Sequence, residues 1–192
     1  SQLINTDNGS TLFANKISKP LNMTSQMVGM LANDIINSLD VKTKQNVMEA
    51  PTSNSEAYEY YLRAKYRLEM RSNNQDIHIA RELIEKALGF DDNMILAKSL
   101  LGKTYLFTND NDKAMIIFEQ NLSQAKELKD NSGIALTYSN IGLIFWYREK
   151  YDKALDYYTR SLRIKEEIDD KRGMGGTLNN IGIVYKIKGD ND

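Results

Sequence analysis

The sequence contains no cysteine, a single histidine and only two prolines among its 192 residues. Without cysteine, disulfide bonds and thiolate metal sites cannot form. No apolar run approaches the roughly 20 residues that a membrane-spanning helix needs, and no segment has the pattern of a signal peptide. We therefore expect no metal, no cofactor and no membrane insertion. A cytoplasmic location is predicted, with the periplasm as the alternative.

Charge is also balanced, since 25 basic and 26 acidic residues give a net charge of −1. A domain that binds nucleic acid usually concentrates basic residues on one surface. The charges of this chain are instead mixed along its length, which is typical of solvated helix faces. We expect no binding to nucleic acid.

Candidate catalytic or ligand-binding motifs are incomplete. His78 has no cysteine or second histidine to share a metal and is expected at the surface. The Asp-Asn-Asp stretch at 110–112 lacks the glycine and distal glutamate of a calcium loop, so it is predicted to be an inter-helix turn that caps the next helix. The glycines at 173–176 are not followed by Gly-Lys-Ser/Thr, so we expect a helix-entry turn. No catalytic residue is assigned, and the chain is predicted not to be an enzyme.

The sequence instead repeats itself at a fixed interval. Gly102, Gly142 and Gly182 are evenly spaced, and an aromatic residue follows each glycine by three positions. An upstream copy that includes Ala80 precedes Ala114 by a shorter step. Self-similarity at such periods predicts stacked supersecondary units.

Each unit has the pattern of two helices joined by a short turn. Tyr138, Ile141 and Phe145 fall on one face of a helix, and a second helix carries Ala154 and Tyr158 on its own apolar face. The glycine at 142 costs about 1 kcal/mol relative to alanine inside a helix. That cost is tolerable if another helix approaches the backbone there, so the pair is predicted to form a close-packed antiparallel hairpin.

These features resemble the tetratricopeptide repeat, in which small and aromatic residues recur at such positions. The resemblance covers roughly residues 54–192. It implies a mainly α fold, a solenoid of helix-turn-helix units in a right-handed superhelix, with seven helices between residues 54 and 188. Residues 53–192 would hold about three full repeats and a final first helix. The resemblance further implies a non-catalytic module for protein–protein interaction.

Residues 1–52 do not repeat and are predicted to form a separate unit. Asn8-Gly9 lies between two short apolar-containing runs, which is a strong hairpin signal. An amphipathic helix is predicted around an apolar stripe, followed by a polar linker. Ser53 and Glu56 have the spacing of a capping box for the first repeat helix. The apolar stripe consists of Met27, Leu31, Ile35 and Leu39.

This N-terminal order resembles the junction in bacterial multidomain regulators where a small α/β domain precedes tetratricopeptide repeats. It implies that the chain is a piece of a larger bacterial signalling protein. The alternative is a regulatory or dimerisation segment of an adenylate or guanylate cyclase, or of a transcriptional regulator, without a separate peptide ligand.

The predicted binding surface is a groove lined by the first helix of each unit, which would accept a peptide or a partner helix. Its side chains mix amides with apolar groups, as an extended peptide requires, and the asparagines in "YSNIG" and "LNNIG" resemble the groove-lining segment of the family. The alternative is that Asn140 and Asn180 bridge helices and that Trp146 packs between repeats. The predicted groove residues are Ser99, Lys103, Leu106, Ser139, Asn140, Leu143, Trp146, Tyr147, Asn179, Asn180, Ile183 and Lys186.

The last helix is predicted to be a second contact surface. Its apolar face of Leu178, Ile181 and Tyr185 has no following helix in this sequence, and a contiguous apolar patch usually marks a contact. We expect a homo-oligomer or a neighbouring chain at this face.

Overall fold

The computed structural model describes residues 52–189 and two short strands. Strands β1 (Gln2–Ile4) and β2 (Thr11–Ala14) pair antiparallel, with Leu3 opposite Phe13. The turn expected at Asn8-Gly9, the helix expected around residues 27–39 and the linker before residue 52 lie outside the described residues. The hairpin turn, that helix and the domain boundary at residue 52 therefore stay predictions.

Residues 52–189 contain seven α-helices and no strand, which confirms the prediction of a helical repeat array. Each helix packs against its neighbours in sequence, and the third also contacts the fifth. The helices are α1 (Ser55–Glu69), α2 (Asn74–Phe90), α3 (Ile95–Phe107), α4 (Asn111–Glu127), α5 (Asn131–Tyr147), α6 (Tyr151–Glu167) and α7 (Lys171–Lys188).

Side-chain caps fix several of the helix starts. Asp110 accepts a hydrogen bond from the amide of residue 113 and caps α4, as predicted. The capping box predicted for Ser53 is wrong, because Asn54 is the N-cap of α1 and accepts from the Ala57 amide. The helix-entry turn predicted at 173–176 is also wrong: Asp170 caps α7 through the amide of residue 173, which places those glycines inside the helix.

The turns between α3 and α7 share one geometry and recur at a constant spacing. In each turn one residue adopts a left-handed conformation with φ between 55° and 60°. The amide of the next residue donates to the carbonyl four positions before the left-handed one, as for Asp130 on Ala125 at 2.9 Å. These hydrogen bonds satisfy backbone carbonyls that have no intrahelical partner at the end of a helix. The left-handed residues are Asn109, Lys129, Glu149 and Asp169.

Close packing within a unit depends on the repeated glycines. A methyl group at Gly142 would lie 2.7 Å from Cδ1 of Tyr158, and one at Gly102 would overlap the ring of Phe118. Both rings are completely or almost completely buried. Glycine therefore lets the second helix press an aromatic ring onto the backbone of the first helix. The close packing of the two helices at Gly142 was predicted, but the ring that fills the space was not.

Candidate protein-interaction face

The first helices of the last three units, α3, α5 and α7, place the predicted groove residues in columns related by the repeat period. We call the surface formed by these columns the inner face. Lys103, Leu143 and Ile183 share one column. Asn140 and Asn180 occupy another, in which the earlier unit has leucine at position 100. The chemistry of one column therefore changes from unit to unit along the array.

A small pocket opens on the inner face between α5 and α7. It has a volume of about 80 Å³ and is lined by Leu143, Trp146, Tyr158, Asn180 and Ile183. Sites for drug-sized ligands usually measure about 300–1,000 Å³. This pocket can therefore take a single side chain, with Asn180 among its lining residues.

Two donors at or near this pocket lack hydrogen-bond partners within the described part of the chain. Asn140 Nδ2 and Trp146 Nε1 are both buried without a partner. Asn140 is only 3% exposed and lies one turn before Leu143 on α5. The alternative that Asn140 bridges neighbouring helices through its amide nitrogen is therefore not what the structure shows. An unsatisfied buried donor costs about 1–3 kcal/mol. Neither nitrogen is exposed, so neither is accessible to a ligand in this arrangement of side chains.

Positive charge collects at the α3 end of the inner face. Lys103 is half-buried and forms no salt bridge or hydrogen bond to any residue among 52–189. Burial lowers the pKa of Lys103, and the nearby charge of Lys65 lowers this pKa further. The charge of Lys103 also contributes to lowering the pKa of Lys165. An anionic group at Lys103 would relieve this unfavourable electrostatic environment.

Not every predicted groove residue reaches the surface. Ser99 is 3% exposed, and its hydroxyl accepts from Asn121 of α4 at 2.9 Å. Leu106 is 6% exposed and packs in the core with Phe118. The prediction is wrong at both positions for the same reason, because these side chains turn toward the second helix of the unit. Ser139 is half-buried, and its hydroxyl lies 2.7 Å from that of residue 161.

Of the remaining predicted residues, Asn140 is as buried as Ser99, and the others are at least partly accessible. Tyr147 is 46% exposed, and its ring meets the edge of Trp146 with 5.0 Å between the ring centroids. Asn179, Ile183 and Lys186 are exposed on α7. The structure thus brings four of the predicted residues into the pocket and leaves the other accessible ones around it.

A buried polar network behind the inner face was missed by the sequence reasoning. Asn121 Nδ2 donates to the Ile95 carbonyl, to Ser99 and to Thr137, which joins α3, α4 and α5. In the next unit Ser161 donates to the carbonyl of residue 135 at 2.6 Å. The signal was present, because Asn121 and Ser161 keep the repeat spacing, but the sequence analysis assigned these two residues no role.

Lys165 completes the network in the third unit. Its Nζ donates to Ser139 at 3.2 Å, to the Gly173 carbonyl at 3.3 Å and to Thr177 at 2.7 Å. Burial lowers the pKa of Lys165, opposed by the carboxylate of Asp170. The lysine therefore supports the inner face from behind and is not available to a ligand.

A larger hollow of about 400 Å³ lies between α5 and α6, lined in part by Tyr138, Arg160 and Arg163. Its arginines are already paired, Arg160 with Asp156 at 2.8 Å and Arg163 with Glu167 at 3.5 Å. The hollow therefore offers no free arginine charge to a ligand.

Across the described ranges, no group of three histidine, cysteine, aspartate or glutamate side chains could hold a metal ion. His78 is exposed on α2. Among these same residues, no helix is both long and apolar enough to span a bilayer.

Comparisons with known proteins point to one kind of repeat. The family model described as "Tetratricopeptide repeat" matches residues 93–167 and 133–192, which together cover more than half of the chain. No curated protein matches the sequence.

Two solved structures have similar folds. The apo form of RapI has a TM-score of 0.59 at 15% identity, over 88% of this chain and 59% of that one. A Rap protein complexed with competence and sporulation factor has a TM-score of 0.60 at 15% identity, over 91% of this chain and 63% of that one. The chain spans about three fifths of the length of these proteins, and at this identity the likeness concerns the fold.

Proposed function

Because the chain belongs to the tetratricopeptide repeat family, we propose that it is a non-catalytic module whose inner face binds an extended peptide segment of a partner protein. Stacked repeats of this kind create extended binding surfaces. The observation that carries the proposal is the pocket on the inner face, which is sized for one side chain and lined by Asn180 together with apolar and aromatic side chains.

The chemistry of the inner face fits an extended backbone. An asparagine amide both donates and accepts, so Asn180, which lines the pocket, can pair with the carbonyl and amide groups of a peptide. An extended peptide directs alternate side chains to the same side. One apolar side chain would enter the pocket between Leu143 and Ile183.

The charge of the inner face favours an acidic residue or a terminal carboxylate in the ligand. Lys103 has no anionic partner among the described residues, and Lys65 lies close enough to lower its pKa. A carboxylate at this position would gain from the Lys103 ammonium group, whereas Lys65 is already paired with Glu69 at 3.9 Å. We therefore assign the acidic end of the ligand to α3 and the apolar side chain to the region between α5 and α7.

The Rap structure complexed with competence and sporulation factor supports a role in bacterial signalling. It has the same kind of fold and holds a bound factor. By this likeness, we propose that the chain belongs to a bacterial signalling protein and that peptide binding regulates its activity.

The experiment is selection of short peptides from a random library displayed on phage, followed by titration of synthetic hits. We expect hits with one acidic and one large apolar residue several positions apart. Asn180→Ala should weaken binding by roughly 1–3 kcal/mol because a hydrogen bond to the peptide is lost. Lys103→Met should weaken binding most for the acidic hits.

A matched control is Lys126→Met, which removes an exposed lysine of α4 away from the inner face. This variant should bind the hits with unchanged affinity. Equal affinities for Asn180→Ala, Lys103→Met and the unchanged protein, with helicity preserved, would reject the inner face as the binding site.

A further inference from the structure

One wall of the inner-face pocket contains a hydrogen-bond donor that the folded chain does not use. Trp146 lines the pocket, and its Nε1 is buried without a partner among the described residues. A buried tryptophan N–H usually finds an acceptor, and one that does not lowers the stability of the fold. A buried donor left in this state therefore calls for an explanation.

Packing at this position does not require a donor. Leu106 holds the equivalent place in the preceding unit, where it is 6% exposed and packs in the core with Phe118. Trp146 packs in a similar way on the cluster that contains Tyr158. Because leucine closes the interface in one unit with hydrocarbon alone, the N–H of Trp146 is not needed to close it in the next.

A second leucine of α3 is also replaced by a donor in α5. Leu100 packs on the first core cluster, whereas the equivalent Asn140 has a buried Nδ2 without a partner in the described part of the chain. Departures of this kind, without a compensating contact, are typical of functional positions. Asn140 does not line the pocket, which leaves Trp146 as the donor placed to meet a ligand.

The indole N–H can reach the pocket through a change of rotamer. Because Trp146 lines the pocket while its Nε1 is buried, another part of the ring faces the pocket. The torsion between Cβ and a tryptophan ring has broad, roughly two-fold minima. A half-turn exchanges the two edges of the indole, and the pocket of about 80 Å³ gives space beside the ring. The neighbouring ring of Tyr147 is 46% exposed and can follow the movement.

We propose that Trp146 turns its indole when a peptide binds and donates Nε1–H to a backbone carbonyl next to the apolar side chain in the pocket. This role rests on the proposed function of the inner face. Asn180 lines the pocket from α7, so donors from two helices would hold the peptide backbone. The pocket then selects an apolar side chain that belongs to an extended peptide over a free apolar molecule, which has no carbonyl to accept the hydrogen bond.

The first test observes the donor directly. The chain contains a single tryptophan, so a proton–nitrogen NMR spectrum of the full chain has one indole N–H signal. The probe is the tightest-binding synthetic peptide from the phage selection. At saturation we expect the indole signal to move downfield, because a new hydrogen bond deshields the proton. A signal that stays in place while the peptide saturates the inner face would overturn the proposal.

The second test removes the donor and keeps the ring. Supplying 3-benzothienylalanine in place of tryptophan during expression changes position 146 alone and puts sulfur where the N–H was. Peptide affinity should fall about tenfold. The urea midpoint of the ligand-free protein should not fall, because the lost donor had no partner among the described residues. The matched control is 5-fluorotryptophan at the same position, which keeps the N–H and should leave the affinity unchanged.

The outcomes separate this role from the proposed function. Equal affinity for the benzothienyl protein and the unchanged protein would reject the role of Trp146, while Asn180→Ala and Lys103→Met would still decide whether the inner face binds peptide. A lower urea midpoint for the benzothienyl protein would mean that the N–H bonds within the folded chain, which also rejects the role. If no selected peptide depends on Asn180 or Lys103 for binding, the inner face and the role of Trp146 both fail.

Discussion

Replacing equivalent glycines with alanine should change stability in opposite directions at two positions of the repeat. Gly142 and Gly182 have the same place in their helices, and alanine favours a helix over glycine by about 1 kcal/mol at either position. What differs is the environment of the added methyl group. At Gly182 it meets no atom within 4 Å, and at Gly142 it lies 2.7 Å from Cδ1 and Cε1 of Tyr158.

The size of the stability change caused by Gly142→Ala depends on whether the ring of Tyr158 can move. Tyr158 is 1% exposed and packs in the core of the third unit, so the two helices must separate by a fraction of an ångström. Overpacking of this kind costs about 1–3 kcal/mol. After the gain in helix propensity, Gly142→Ala should destabilise the protein by up to about 2 kcal/mol. Gly182→Ala should stabilise α7 by about 1 kcal/mol.

Urea denaturation followed by circular dichroism measures both effects, with hydrogen exchange of α7 amides to detect local changes at the end of the array. The control is Gly176→Ala, another open position on α7, which should behave as Gly182→Ala does. If Gly142→Ala were as stabilising as Gly182→Ala, the close contact between Gly142 and Tyr158 would not exist in solution. The repeat would then not depend on glycine for its packing.

Three further perturbations test the polar network and the turns. Asn121→Ala should destabilise the protein by about 2–4 kcal/mol in urea titration, because it removes the hydrogen bonds that join three helices and leaves a cavity. Lys129→Gly should stabilise it by up to about 1 kcal/mol, since φ is 55° there and glycine has no Cβ to strain; an unchanged midpoint would contradict this. Burial lowers the pKa of Lys165 in the folded protein. At pH values between this lowered pKa and the ordinary pKa of lysine, the unfolded chain binds more protons than the folded chain. The free energy of unfolding should therefore rise with pH through this interval. Lys165→Met should lose part of that rise, which denaturation at several pH values would detect.

The helices could be predicted from the sequence because the same packing pattern recurs in successive units. The repeated pattern is glycine followed by an aromatic residue, with alanine and a second aromatic residue on the next helix. Few structures other than a close antiparallel helix pair accommodate this pattern. The ring contacts of Tyr138 and Phe145 with Tyr157 confirm the predicted facing residues. Helix starts were less predictable, because Ser53 and Asn54 are both good N-caps and only backbone geometry selects Asn54.

The candidate face was harder to predict, because first helices in the array are apolar on more than one side. Helix α5 contacts α4 and α6, so seven of its residues are buried and its periodicity does not mark a single buried face. Ser99 and Leu106 were assigned to the groove by column position, yet they turn toward the covering helix. A pattern of residue types cannot distinguish these two directions when they are adjacent on the helix surface.

The replacement of Asn121 by Ser161 and Lys165 in the next unit shows how one interface can be built from different side chains. Both solutions bond the same backbone position, the carbonyl of Ile95 or Ala135, and both reach the threonine of the following helix. If they are equivalent, Ser161→Asn combined with Lys165→Ala should rebuild the neutral network of the previous unit.

Each single change should destabilise the protein, since Ser161→Asn crowds the lysine and Lys165→Ala leaves Thr177 without its donor. The double variant should lie within about 1 kcal/mol of the unchanged protein, a coupling that a double-mutant cycle measures. It should also lose the part of the pH dependence that Lys165 contributes. Additive effects of the two substitutions would mean that the network around Lys165 depends on its buried charge. The neutral network around Asn121 could then not replace it.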